Sequence, residues 1–212
     1  WHIIVYCPLA YCNWNPGGIL LKNHVIDWAG GNVVHISTGF SALVATVMIG
    51  KRFGKCAPIE PSNILMSTIG AGMMWIGWLG FNGGSLDGIS GTTGMAVLNT
   101  QIAAVAGGIS WSLYIYLVYK KPSIVGLLCG IISGLVSITP GAGYVNCTGA
   151  VALGLISGVA CCFGSSLRLR LGIDDSLDAF AIHGIGGIIG GLGTGIFANA
   201  RVGGVDGALY GH

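Results

Sequence analysis

The sequence predicts an all-α fold, a polytopic transmembrane helical bundle, and three observations predict it. Charged residues make up 8% of the 212 residues and hydrophobic ones 53%, with a mean hydropathy of +0.79, whereas a soluble domain carries roughly 25% charge. Apolar runs close to the about 20 residues that cross a hydrocarbon core recur between short polar breaks. Lysines and arginines fall in alternate breaks. One membrane domain over residues 1–212 is the simplest organisation, with the lipid bilayer as its solvent. The formal charge of +2 is too small and too scattered for binding by counterion release, so no nucleic-acid partner is expected.

Residues 1–14 read as the tail of a helix, turned by Asn15, Pro16, Gly17 and Gly18 into a polar connection ending near Ile26. Trp1 starts partway through an apolar segment with no initiator methionine and no signal peptide, so the expected N-terminus lies upstream. Five full spans and one short one follow, at 27–50, 64–81, 91–119, 124–138 (the short one), 149–171 and 176–198. All are rich in glycine, as close-packed membrane helices are. Pro122 suits the first turn of the short helix, and Pro140 either stops it or lets it run on irregularly against protein.

Orientation follows from positive charge. Lys51, Arg52 and Lys55, then Lys120 and Lys121, then Arg168 and Arg170 occupy alternate loops, seven against Lys22 and Arg201 on the other side. The first group is placed in the cytoplasm. Of seven cysteines, Cys7, Cys12, Cys129, Cys161 and Cys162 sit in apolar stretches and Cys56 and Cys147 in loops. They read as small hydrophobes rather than a disulfide framework.

His2 aside, the ionisable residues well inside spans are His35 and His183. An unpartnered ionisable group in hydrocarbon is costly, so each is a functional candidate, against the plainer alternative of a core histidine bonded to a carbonyl. Their surroundings repeat. Asp27 and Asp175 precede the histidines by eight residues, and Gly39 and Gly187 follow by four. The charge pattern makes the two spans run in opposite directions, an inverted repeat of the kind that builds a site between halves. At about 1.5 Å per residue, each imidazole is expected about 12 Å inside its helix, near the middle of a core about 30 Å thick.

Asp27 and Asp175 read first as helix caps, with Asp178 a favourable first-turn charge; any of the three also shapes the potential near a cation path. Trp75, Trp78 and Phe81 form an aromatic stripe leading to Asn82-Gly83-Gly84-Ser85, and such stripes also serve simply to pack helices. Trp14 suits an interfacial belt or a cation-π site. The hydroxyls of Ser85 and Thr139 are weak signals alone. Glycines 187, 191 and 195 make a face for tight helix contact, not a phosphate loop. Asn146-Cys147-Thr148 fits a glycosylation sequon but is given no role.

Asp27-Trp-Ala-Gly-Gly-Asn-Val-Val-His35-Ile-Ser, Gly77-Trp-Leu-Gly-Phe-Asn-Gly-Gly-Ser85, Lys121-Pro-Ser, Ile138-Thr-Pro and Asp174-Asp-Ser-Leu-Asp-Ala-Phe-Ala-Ile-His183-Gly resemble the ammonium transporter (Amt/Mep/Rh) family, in its Amt/Mep branch. The resemblance implies part of an eleven-span inverted-repeat fold, from late in span four to just after span ten, with the earlier spans and the last one missing. It implies a homotrimer in the plasma membrane with a pore per subunit, ammonium or ammonia as cargo, and a cytoplasmic PII-type regulator. His35 and His183 match its twin histidines, Phe81 the inner phenylalanine of its gate, Trp78 a pore-lining tryptophan, and Trp14 with Ser85 its outer cation site. Asp27 matches an aspartate near that site and Thr139 a threonine near the pore wall. A piece of this extent is not expected to conduct by itself.

No catalytic residue, cofactor or metal is expected. An ammonium sensor built on the same pore and a neutral gas channel are the nearest alternatives. A membrane metalloenzyme is a more distant one, since no Cys-x-x-Cys or His-Glu-x-x-His spacing accompanies the histidines.

Overall fold

The computed structural model describes residues 1–52, 61–86 and 88–211. The expectations for Lys55 and Cys56 lie outside the described residues. Among those described, the chain is helical with no strand, only an isolated bridge between Val145 and Ala198. Helix α1 covers residues 2–14, π-helical over His2–Tyr6 and α-helical over Cys7–Trp14. The short α2 (Ile19–Lys22) lies within the polar connection, where no helix was expected. Among the described residues, five helices are long and apolar enough to cross a membrane: α3 (Gly31–Ile49), α4 (Ile64–Gly83), α5 (Gly91–Tyr119), α7 (Cys147–Leu171) and α8 (Phe180–Phe197). The shorter α6 (Ile124–Ile138) and the terminal α9 (Ala200–Gly203) complete the order.

The ends form where polar side chains replace missing intrahelical partners. Asn63 Oδ1 accepts from Met66 N at 3.0 Å, Ser90 and Thr93 form a capping box, and Ser123 Oγ accepts from Gly126 N at 3.1 Å. Asn146, the first residue of the sequon, caps α7 through Oδ1 to Gly149 N at 2.9 Å and donates Nδ2–H to Tyr210 Oη at 2.9 Å.

Helices α5, α6 and α7 form the packed core. Ala103, Ala104 and Gly107 meet Gly130 and Gly134 on one side and Gly154 and Gly158 on the other. Small faces allow that approach where lipid supplies no hydrophobic drive between helices. Large apolar residues such as Ile76, Met73 and Leu192 face outward.

Helices α3 and α8 pack as an antiparallel pair: the later part of α3 lies on the opening turn of α8, and α8 on the opening turn of α3. At their crossing Gly39 meets the backbone of Gly184, and a Cβ on Gly39 would collide with it. Phe40 and Phe180 stack edge to face beside it, centroids 5.4 Å apart. The loops leaving α3 and entering α8 share one end of the bundle, joined by the ion pair of Arg52 with Asp174. The Arg52 guanidinium and backbone N–H hold the Asp174 carboxyl down at about 2, from an ordinary 3.8.

Two expectations need correction. Helices α3 and α8 start at Gly31 and Phe180, not at 27 and 176, so the depth of about 12 Å does not apply as a helical distance. The cause is that each aspartate reaches backbone N–H groups up to five residues ahead, which requires a loop over the carboxylate. Asp178 is no first-turn charge: it precedes α8 with φ at 52° and pairs with Arg168 Nε at 2.5 Å.

Gly39→Ala is expected to destabilise the purified protein by about 1–3 kcal/mol through overpacking at the crossing. Thermal unfolding measures it, and an unchanged melting temperature would contradict the tight contact.

Candidate functional site

Both histidines lie in the opening π-helical turns, Gly31–Ile36 and Phe180–Ile185. Such turns are rare and gather at functional positions. Asp27 holds the first in place: Oδ1 accepts from Gly30 N at 2.9 Å and Gly31 N at 2.7 Å, while Oδ2 accepts from Asn32 N at 2.8 Å and Asn13 Nδ2 at 3.3 Å. Asp175 does the same for the second with fewer donors, accepting from Phe180 N at 2.9 Å and Leu177 N at 3.3 Å. Both carboxylates are buried, so both act as caps.

The antiparallel pairing brings the imidazoles together. His35 Nδ1 and His183 Nδ1 are 3.2 Å apart, with ring centroids at 5.3 Å. The Trp78 indole stacks on His35 at 5.1 Å and 20° between planes, and Phe81 lies 6.5 Å from the same ring.

Thr139, just after α6, assigns the protons. Its hydroxyl donates to Leu135 O at 2.8 Å and accepts from Trp78 Nε1–H at 2.9 Å. A hydroxyl carries one hydrogen and two lone pairs. Its third partner, His35 Nε2 at 3.3 Å, must then be the donor. In a neutral ring that leaves His35 Nδ1 bare and able to accept from His183 Nδ1–H. The Nε2 lone pair of His183 is left over, facing away from the pair.

A cavity of about 470 Å³, called the outer cavity because the charge pattern places that end outside, is lined by Trp14, Ser85, Phe81, Asp27, Trp28, Val34, Tyr6 and Tyr144, among others. A second, about 320 Å³, is lined by His35, Trp78, Phe81, Val34, Met74 and Gly77. Phe81 and Val34 belong to both and form the wall between them. Ser85 Oγ donates to Phe81 O at 2.8 Å, so its lone pairs remain for a donor, and Trp14 Nε1–H donates to Asp27 O at 2.9 Å. The C-terminal end of α4, with its partial negative charge, points to the outer cavity.

The structure therefore gathers His35, His183, Trp78, Phe81 and Thr139 in one place and Trp14, Ser85 and Asp27 in the next. It leaves Asp175 and Asp178 out of both. The aromatic stripe divides: Trp78 and Phe81 line cavities, Trp78 while also belonging to the apolar core, whereas Trp75 only packs against that core. Residues that sequence reasoning passed over are Asn13, whose carbonyl oxygen also accepts from Asn32 Nδ2 at 3.3 Å, and Trp28, Tyr6 and Tyr144 around the outer cavity. A buried asparagine beside Trp14 in an apolar segment was the available signal for the first. Among the described residues, no three His, Cys, Asp or Glu side chains gather in a set able to hold a metal.

A bundle with five helices able to cross a bilayer, enclosing a pair of contacting imidazoles, defines a multi-pass membrane protein. The model of the Ammonium Transporter Family matches residues 1–212. The ammonium transporter Amt1 of Archaeoglobus fulgidus is 44% identical over 213 residues, covering 100% of this chain and 54% of its own length. The crystal structure of Saccharomyces cerevisiae Mep2 superposes with a TM-score of 0.91 at 39% identity, over 95% of this chain and 46% of that one. A structure titled Sensor Amt Protein superposes at 0.88 with 36% identity, over 94% of this chain and 52% of that one. The chain belongs to the ammonium transporter family, a family of transporters rather than enzymes. It spans about half the length of the curated relatives it matches.

Thr139→Val is expected to orphan two buried N–H groups and to destabilise the protein by about 1–3 kcal/mol, with Thr139→Ser restoring most of the loss. Comparing the three by thermal unfolding is decisive; equal stabilities would remove Thr139 from the network.

Proposed function

We propose that the full-length protein moves ammonium across a membrane by recruiting the cation outside, removing its proton, and passing ammonia, with or without a separately relayed proton, along the histidine pair. The observation that carries this reading is the 3.2 Å contact between His35 Nδ1 and His183 Nδ1 directly beyond a cavity lined by Trp14 and Ser85.

In the outer cavity the Trp14 ring face supplies roughly 0.5–2 kcal/mol of attraction for a cation. The lone pairs of Ser85 accept an N–H bond from ammonium, which potassium has no hydrogen to make. Beyond Phe81 the surroundings turn apolar, and loss of water favours the neutral form of the cargo. Ammonia meets the imidazole pair as both donor and acceptor. Sharing one hydrogen bond, the two rings offer the cargo a donor and an acceptor, and a proton can pass between their Nδ1 atoms as well as a neutral molecule along them.

The proposal extends to a homotrimer in the plasma membrane with a cytoplasmic PII-type regulator, supported by the family alone. A sensor is the second reading, favoured by the likeness to the Sensor Amt Protein. The same cavities would then report occupancy, without ammonium-evoked current.

In the full-length protein, His35→Ala or His183→Ala is expected to abolish proton-coupled current in liposomes. Full current with normal selectivity in either variant would reject the relay. Ser85→Ala is expected to lower the preference for ammonium over potassium by about tenfold, the order of one hydrogen bond to a charged group. An unaltered preference would remove Ser85 from the outer site.

A further inference from the structure

We infer that Trp28 is a specificity-determining positioning residue, whose indole sets the spacing between Trp14 and Ser85 and thereby the selectivity of the outer cavity. The inference rests on the reading of that cavity as an ammonium site.

Two adjacent residues hold its two sides. The Asp27 carbonyl accepts from Trp14 Nε1–H at 2.9 Å, and the Trp28 indole donates to Asn82 O at 2.7 Å. Asn82 lies in the last turn of α4, where carbonyls have no intrahelical partner. There Gly80 O takes the N–H of Gly84 at 2.7 Å, Phe81 O takes the hydroxyl of Ser85 at 2.8 Å, and Asn82 O takes Trp28. A side chain from just before the His35 helix thus completes the end of α4, the helix that Ser85 directly follows.

Trp28 is itself held. Its backbone N–H donates to Pro140 O at 2.9 Å, and its ring meets Tyr144 edge to face at 5.5 Å. The ring also covers Gly143 so closely that any Cβ there would collide with it. The bond to Asn82 commits the indole N–H to the end of α4, so Trp28 ties the Ser85 side of the cavity to the Asp27 side and acts through geometry. Ammonium has to meet a ring face and a hydroxyl lone pair together, along fixed N–H directions. Potassium has no such directions to satisfy, so a loosened spacing weakens ammonium more than potassium.

The test uses the full-length transporter in liposomes, recording ammonium and potassium currents for native protein, Ser85→Ala, Trp28→Phe and the double variant. Trp28→Phe keeps an aromatic ring against Tyr144 and removes the N–H. It is expected to raise the half-saturating ammonium concentration and lower ammonium-over-potassium preference about fivefold, with maximal current retained. The double variant is expected to match Ser85→Ala, because Trp28 acts through Ser85. Additive losses, or a normal preference in Trp28→Phe beside a reduced one in Ser85→Ala, would overturn the positioning role. A normal preference in Ser85→Ala would instead overturn the outer site itself. Should Trp28→Phe not reach the membrane, benzothienylalanine at position 28 keeps the bicyclic shape without the N–H donor and carries the same expectations.

Discussion

Two like nitrogens in contact form a bond only when one carries a hydrogen and the other does not, and at His35 and His183 the neighbours settle which is which. The chain of donors runs in one direction, from His183 Nδ1 to His35 Nδ1, and from His35 Nε2 through Thr139 to Leu135 O. In lipid no water stands by to complete a missing partner, so each member is held by the next. A carbonyl in the core helix α6 thereby fixes where a proton sits on α8.

The two halves share a backbone plan but not an environment. Asp27 gathers four N–H donors and stands at the outer cavity, while Asp175 caps the opposite end of the bundle near the Arg168–Asp178 pair. Repetition supplies two converging imidazoles. The departures from it, above all the aromatic residues around Asp27 and the polar end of α4, make the Asp27 end of the bundle differ from the Asp175 end.

The spans were legible because hydropathy and length decide them: the short 124–138 helix and the 91–119 helix match to the residue. The histidine pair was legible because ionisable residues deep in apolar runs are so few. The π-helical turns were not, since nothing in composition marks an extra residue in a turn. The starts of α3 and α8 were misplaced because a capping aspartate can stand several residues before its helix, a choice that depends on which N–H groups it reaches. Trp28 stood inside a motif that was read for its histidine, and its role emerges only when α4 is folded against it. Thr139 was a weak signal because one hydroxyl means little until three partners surround it.

The most direct measurement is nitrogen-15 magnetic resonance of the two histidine side chains in the full-length protein in lipid. The expected spectrum shows His35 protonated at Nε2 and bare at Nδ1, and His183 protonated at Nδ1 and bare at Nε2, with coupling between the two Nδ1 atoms. Identical tautomers in both rings, or no coupling between them, would contradict a shared bond and the relay built on it.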